Sequence, residues 1–124
     1  MTTILVTGSS RGIGAAIRTR LKARGAHVIG HASAAHDPAT IGADLADPLA
    51  PQALWQQALE TAGGAIDVLV NNAGLFDANP LDGSDVEWLD RWEDTLRINL
   101  TSAAQLSRFA VRHWQERGAN GEKG

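Results

Sequence analysis

The chain has 124 residues, 44% of them apolar and 20% charged, with a formal net charge of −3, which bounds it to one globular domain and speaks against a nucleic-acid footprint. It has no cysteine, which excludes a disulfide framework and a thiolate metal site. Met1 leads into a strand-like run with no charged leader, and no apolar stretch is long enough to span a bilayer, so a soluble, cytoplasmic protein without a membrane partner is expected.

In chain order, short strand-like runs alternate with helical ones. Residues 3–7 form a continuous apolar run, as expected of a strand covered on both faces. The segment TGSSRGIG then places glycine at 8, 12 and 14, where the strand hands over to a helix. In that helix Ile13, Ile17 and Leu21 recur at i, i+4 and i+8, and Gly25 is the stop. Residues 26–32 (AHVIGHA) read as a second strand and 39–45 (ATIGADL) as a weaker third. Asp47-Pro48 predicts a helix start, with Leu54, Trp55, Ala58, Leu59 and Ala62 as one apolar stripe before Gly63-Gly64. Residues 65–70 (AIDVLV) read as the fourth strand. Ser84 and Glu87 form a capping box that opens a long helical region, read as two helices, to about Arg117. Trp88 and Trp92, four apart, belong to one face of it.

This alternation predicts an α/β fold: a Rossmann-type doubly wound parallel sheet with helices on both faces and the first strand central. Ligands of such sheets sit beyond the carboxyl ends of the strands. A helix N-terminus there leaves backbone N–H groups unpaired and carries about half a positive charge. Phosphate can approach it only where no side chain protrudes, which gives Gly8, Gly12 and Gly14 a purpose. Their G-x-x-x-G-x-G spacing differs from the general G-x-G-x-x-G fingerprint, and a tight turn opening a helix would use the same residues.

TGSSRGIG resembles the cofactor signature of the short-chain dehydrogenase/reductase family, in the single-domain branch that includes the 3-oxoacyl-carrier-protein reductases. Three further motifs follow in that family's order: Asp44-Leu45 after the third strand, NNAG at 71–74 after the fourth, and Asn99 within RINL of the long helix. The resemblance covers nearly every residue from Thr2 to Gly118. It implies a cofactor held by Gly8, Ser10, Arg11, Gly12, Ile13 and Gly14 of the glycine loop and by Ser33 after the second strand. Asp44 and Leu45 would lie at the adenine ring, and Asn71, Ala73 and Gly74 at the ribose. The Thr7 hydroxyl would tie the first strand to the NNAG turn, and Asn99 would be the catalytic asparagine. The residues alone also permit a solvated loop acid at 44 and an ordinary turn at 71–74. Asn99 shares a stripe with Leu96, Leu100 and Ala103, so its amide is expected to point inward.

An NAD-preferring site commonly carries an acid at the end of the second strand, which would repel a 2′-phosphate. Here that end offers His31, Ser33 and His36 before any acid, and Arg11 supplies a fork of donors, so NADP is the expected cofactor. A longer strand would bring in Asp37 and favour NAD instead. His27 and His113 have no partner at metal-ligand spacing, so no metal site is expected.

The family moves a hydride between nicotinamide and a carbonyl or alcohol carbon, using a tyrosine, a lysine four residues later and a serine. This chain has no tyrosine, its only lysines are Lys22 and Lys123, and it stops at GEKG, where the family's next strand would start. The expectation is therefore the N-terminal half of a longer single-domain oxidoreductase of small-molecule carbonyl or alcohol substrates, inactive alone. A non-catalytic nucleotide-binding or regulatory module is the alternative. The resemblance implies a homo-oligomer in full-length form, with the helix carrying Leu106, Phe109, Ala110 and Trp114 at the interface; core packing explains the same residues. A sheet ending at the fourth strand would leave an unpaired edge.

Overall fold

In the computed structural model, which describes residues 1–35 and 37–121, the elements run β1 (Thr3–Val6), α1 (Gly12–Ala23), β2 (His27–Ala32), β3 (Thr40–Gly42), α2 (Ala50–Thr61) and β4 (Val68–Val70). They are followed by α3 (Asp85–Leu96), a π-helical turn (Arg97–Thr101) and α4 (Ser102–Ala119). The readings made on His36 and Lys123 lie outside the described residues. All strand pairs are parallel, in the order β3-β2-β1-β4, so β1 sits between β2 and β4.

Alternation along the strands sends successive side chains to opposite faces. Leu5 and Ile29 pack with Leu54, Trp55 and Ala58 of α2 and with Leu106 and Ala110 of α4. Ile4, Val6 and Val28 pack on the other face with Ile17 and Leu21 of α1. Because both faces are covered, β1 is buried throughout, as its unbroken apolar run requires. The α2 stripe and the Leu106–Trp114 run of α4 both join the first of these cores.

Four sequence expectations are corrected. Ile13 does not join the α1 stripe: it is 75% exposed, because at the N-terminal end of the helix it faces the open cleft at the strand ends rather than the core. The helix after Asp47-Pro48 begins only at Ala50, because the Asp47 carboxylate accepts from Leu49 N at 2.9 Å and holds a separate turn. The third strand spans three residues rather than seven, and the fourth begins at Val68 rather than 65. Ile66 is engaged by α4 side chains: its N–H donates to His113 Nε2 (3.2 Å) and its carbonyl accepts from Trp114 Nε1 (2.9 Å). The helical region from 85 holds the two expected helices, α3 and α4, but they run into one another through a π-helical turn, since no glycine or proline falls between 85 and 117 and the extra residue is absorbed there.

β4 is an edge strand with Val68 exposed, and α3 buries no residue at all. Trp88 and Trp92 stack on each other, centroids 5.5 Å apart. No described helix is long and apolar enough to cross a membrane.

The start of β4 is fixed electrostatically. The Asp67 carboxylate accepts from Thr3 N–H at 2.8 Å and pairs with Arg117 at 3.1 Å. Both contacts favour the ionised form, the Thr3 amide first, and hold its pKa below the ordinary 3.8. A depressed carboxylate stabilises the fold above its unfolded pKa, and that contribution is lost as pH falls through the lower folded value. The carboxylate is a third exposed, so Asp67→Ala should cost only about 1 kcal/mol at neutral pH. Urea unfolding should show the wild type converging on the variant once the pH falls well below 3.8; an unchanged gap would contradict this account.

Candidate functional site

The site begins with the polar groups left over where β1 and β4 end. Thr7 is buried, and its hydroxyl accepts from both Asn72 N–H (3.0 Å) and Ala73 N–H (2.9 Å). The Asn72 side-chain amide donates back to the carbonyls of Thr7 (3.3 Å) and Gly8 (3.0 Å). The tie between the first strand and the NNAG turn is therefore present, and it is made from both sides.

This contact explains two of the glycines. A Cβ on Gly8 would lie 2.7 Å from the Ala73 backbone, and Gly8 also has a left-handed φ of +61°. A Cβ on Gly14 would meet the Gly8 carbonyl and, at 2.5 Å, the Asn72 amide nitrogen. Gly12 is different: its φ is +59°, but a Cβ there would meet nothing within 4 Å. It turns the chain into α1 and leaves open space above the helix. Arg11, in the N-cap position of α1, makes no side-chain cap, and the first turn contains no acid. The first amides of α1 thus lack a capping side chain and point from an electropositive helix end.

These amides face a cleft of about 660 Å³ at the carboxyl ends of the strands, within the size range of small-molecule sites of about 300–1,000 Å³. Gly8, Ser10, Arg11, Gly12, Ile13 and Gly14 line it from the loop and α1, and Ser33 lines it past β2. Asp44 and Leu45 come from beyond β3, and Ala73 and Gly74 from the NNAG turn. The exposure of Ile13 that departs from its helical stripe is what places it at this mouth. Arg11 and Ser33 are both exposed. Asp44 doubles as a turn residue, its Oδ1 accepting from Ala46 N at 3.0 Å.

Asn71 is not brought to the cleft. Its amide points to α4, donating to Ser107 Oγ at 3.0 Å, and Asn72 lines the cleft in its place. In an extended segment neighbouring side chains diverge, so only one of the two asparagines can face inward. Asn99 departs from expectation as well, being exposed rather than buried. It lies in the π-helical turn, where the spacing of a regular helix no longer applies. Its Oδ1 nevertheless accepts from Leu75 N–H (2.6 Å) and its Nδ2 donates to the Leu75 carbonyl (2.8 Å), and Leu75 lines the cleft. Asp37 does not line it: its carboxylate accepts from Ala39 N and Thr40 Oγ, each at 2.9 Å, and pairs with Arg18. Of the lining residues the sequence reading missed, His31 matters most. Its ring is buried and hydrogen-bonded at both nitrogens.

A glycine turn between the central strand and the first helix, opening on a cleft at the carboxyl ends of a parallel sheet, defines the Rossmann type of α/β protein. The chain belongs to the short chain dehydrogenase family, which it matches over residues 2–122. It is 37% identical over 119 residues to a 3-oxoacyl-[acyl-carrier-protein] reductase of Escherichia coli, covering 87% of this chain and 47% of that protein. It is 32% identical over 130 residues to a 3beta-hydroxysteroid dehydrogenase of Eggerthella lenta, covering 93% and 48%. A short chain dehydrogenase from Burkholderia cenocepacia, solved in complex with NADP, superposes with a TM-score of 0.76 at 37% identity, over 90% of this chain and 50% of that one. The chain spans about half the length of the relatives it matches.

Thr7→Val keeps the shape of the side chain and removes its acceptor, stranding the amides of Asn72 and Ala73. Unfolding measurements should show a loss of about 1–3 kcal/mol, while Thr7→Ser should recover most of it. Equal losses in the two variants would mean that the methyl group, not the hydroxyl, holds the turn.

Proposed function

We propose that this chain is the cofactor-gripping half of an NADP-dependent short-chain oxidoreductase acting on a small-molecule carbonyl or alcohol. The observation that carries the reading is the uncapped N-terminus of α1, opening through Gly12 onto the cleft. That geometry suits a pyrophosphate. Gly8, Ser10, Gly12, Ile13 and Gly14 would cradle it, Asp44 and Leu45 would border the adenine, and Ala73 and Gly74 the ribose. The segment after Asn71 would be set by Asn72, with Asn71 itself anchoring the turn to α4. Asn99, the catalytic asparagine of the resemblance, would act here by fixing Leu75 at the cleft. A bound nicotinamide would supply the hydride chemistry.

The preference for NADP over NAD rests on Arg11 and Ser33 at the rim and on Asp37 being engaged with Arg18 and Thr40 rather than facing the cleft. The NADP-bound relative supports the same choice. The chain contains no tyrosine, and a missing general acid costs about 10²–10⁴ in rate, so we read it as inactive alone. The same lack favours the second reading, a non-catalytic nucleotide-binding module. The exposed β4 edge and apolar residues such as Trp92, Leu96 and Leu100 favour the first, as surfaces awaiting the rest of the domain or an oligomeric partner. We place the protein in the cytoplasm.

Fluorescence titration should show NADPH binding. Arg11→Ala should weaken it about tenfold, the worth of one charge-assisted contact, while leaving NADH nearly unaffected. Equal effects on the two cofactors would remove Arg11 from 2′-phosphate recognition. NADPH absorbance should stay constant when ketones are added, and steady oxidation by this polypeptide would overturn its reading as inactive.

A further inference from the structure

One buried, titratable side chain joins three strand ends at the cleft. His31, near the end of β2, is 3% exposed. Its Nδ1 accepts from Gly8 N–H at 3.0 Å, and its Nε2 lies 2.9 Å from the carbonyl of Ala43, just beyond β3. An amide N–H only donates and a carbonyl only accepts. The two partners therefore fix the ring as neutral, with its proton on Nε2 and a lone pair on Nδ1. Around it the backbone is doubly joined: Ser9 N–H donates to the His31 carbonyl (2.8 Å), and His31 N–H donates to Ser9 Oγ (3.0 Å).

A second proton on the ring would sit on Nδ1 and face the Gly8 N–H, donor against donor. Gly8 has little freedom to escape, being in a left-handed conformation against the Ala73 backbone. Either the ring leaves or the loop does. We propose that His31 is a positioning residue for the glycine loop and that only its neutral form holds the loop ready for a dinucleotide phosphate, so that acidification releases the cofactor. This rests on the dinucleotide reading of the cleft given above.

The surroundings favour a latch closed at neutral pH. Burial pushes the His31 pKa below the ordinary 6.5, against a smaller opposing pull from the Ala43 carbonyl. Of the ionisable side chains on the enclosing elements, Arg11 in the loop and Asp44 beyond β3 line the cleft with the ring, and Arg18 of α1 lies against Gly30 and is paired with Asp37, while Arg20 and Lys22 of α1 and His27 at the start of β2 do not line it. None of them contacts the ring through a hydrogen bond; its two partners are backbone groups. A ring that resists its proton in the fold stabilises the closed loop above the unfolded pKa. That contribution is lost as pH falls from there through the lower folded value.

The test uses the whole chain with two readouts. Without cofactor, NMR should find Nδ1 unprotonated at neutral pH, and the Gly8 amide resonance should shift on acidification with the same midpoint as the His31 ring. With NADPH, affinity should fall about tenfold or more across that midpoint, the effect of stranding one amide donor. His31→Asn, whose Oδ1 can accept from Gly8 N–H without titrating, should flatten this pH profile. It also controls for the 2′-phosphate, whose own second ionisation lies at about pH 6. His31→Gln, reaching Ala43 but not Gly8, should bind weakly at every pH. A Gly8 amide indifferent to the His31 titration, or an Asn variant as steep as wild type, overturns the proposal. Failure to bind NADPH at any pH overturns the dinucleotide reading and the affinity claim with it, while the Gly8 amide still decides whether the latch exists.

Discussion

The closure between the carboxyl ends of β1 and β4 is the constraint from which the site follows. A parallel sheet satisfies its own backbone only along its length, and where neighbouring strands diverge their donors and acceptors must find other partners. Thr7 and Asn72 supply them: one hydroxyl accepts from two amides, and one side-chain amide donates to two carbonyls. The price is close approach, which is why Gly8 stands against Ala73 without a Cβ and Gly14 against the Gly8 carbonyl. Had these groups been left to water, the loop would have many conformations. Held as they are, they tie the start of the loop to the NNAG turn by four hydrogen bonds.

That tie gives the bare helix end its value. Ser9 N–H goes to the His31 carbonyl and Gly8 N–H to the His31 ring, so the loop's own donors are used inward. The amides that follow at the start of α1 meet no capping side chain. The chain thus separates donors that hold the loop from donors left facing the cleft, and Gly12 marks the boundary, turning the backbone with nothing above it. An anion arriving there meets groups already oriented, which lowers the ordering cost of binding.

The sequence made much of this legible, but not all of it. β1 could be read because a strand buried on both faces leaves an unbroken apolar run, and the α2 stripe because a regular helix obeys its period. Periodicity failed at two places. Ile13 keeps the α1 period but faces the cleft rather than the core. Asn99 counts as buried only if residues 96–103 form a regular α-helix, whereas a π-helical turn lies there. Motif reading located the NNAG turn but could not say which asparagine faces inward, since that depends on the twist at the end of β4. His31 carried no signal as a latch. Its role comes from Gly8 and Ala43, 23 and 12 residues away, meeting at its two nitrogens.

The two sides of the cleft are finished to different degrees. Toward β2 and β3 the His31 ring, the Ser9 hydroxyl and the Asp37 carboxylate are hydrogen-bonded, and the walls are backed by both cores. Toward β4 the strand edge is open, and Asn99 is exposed even while its amide holds Leu75. If the cleft takes a dinucleotide as proposed, the finished side is the one that grips phosphate and adenine, a task of fixed dipoles and shape. The open side contributes Asn99, Leu75 and Ile98 near the cleft, and none of these can give or take a proton at neutral pH. Orientation can be built from them, but acid–base catalysis needs a titratable group near its working pKa. On that reading grip and chemistry would be separable in this fold, the 124 residues supplying the first with no tyrosine for the second.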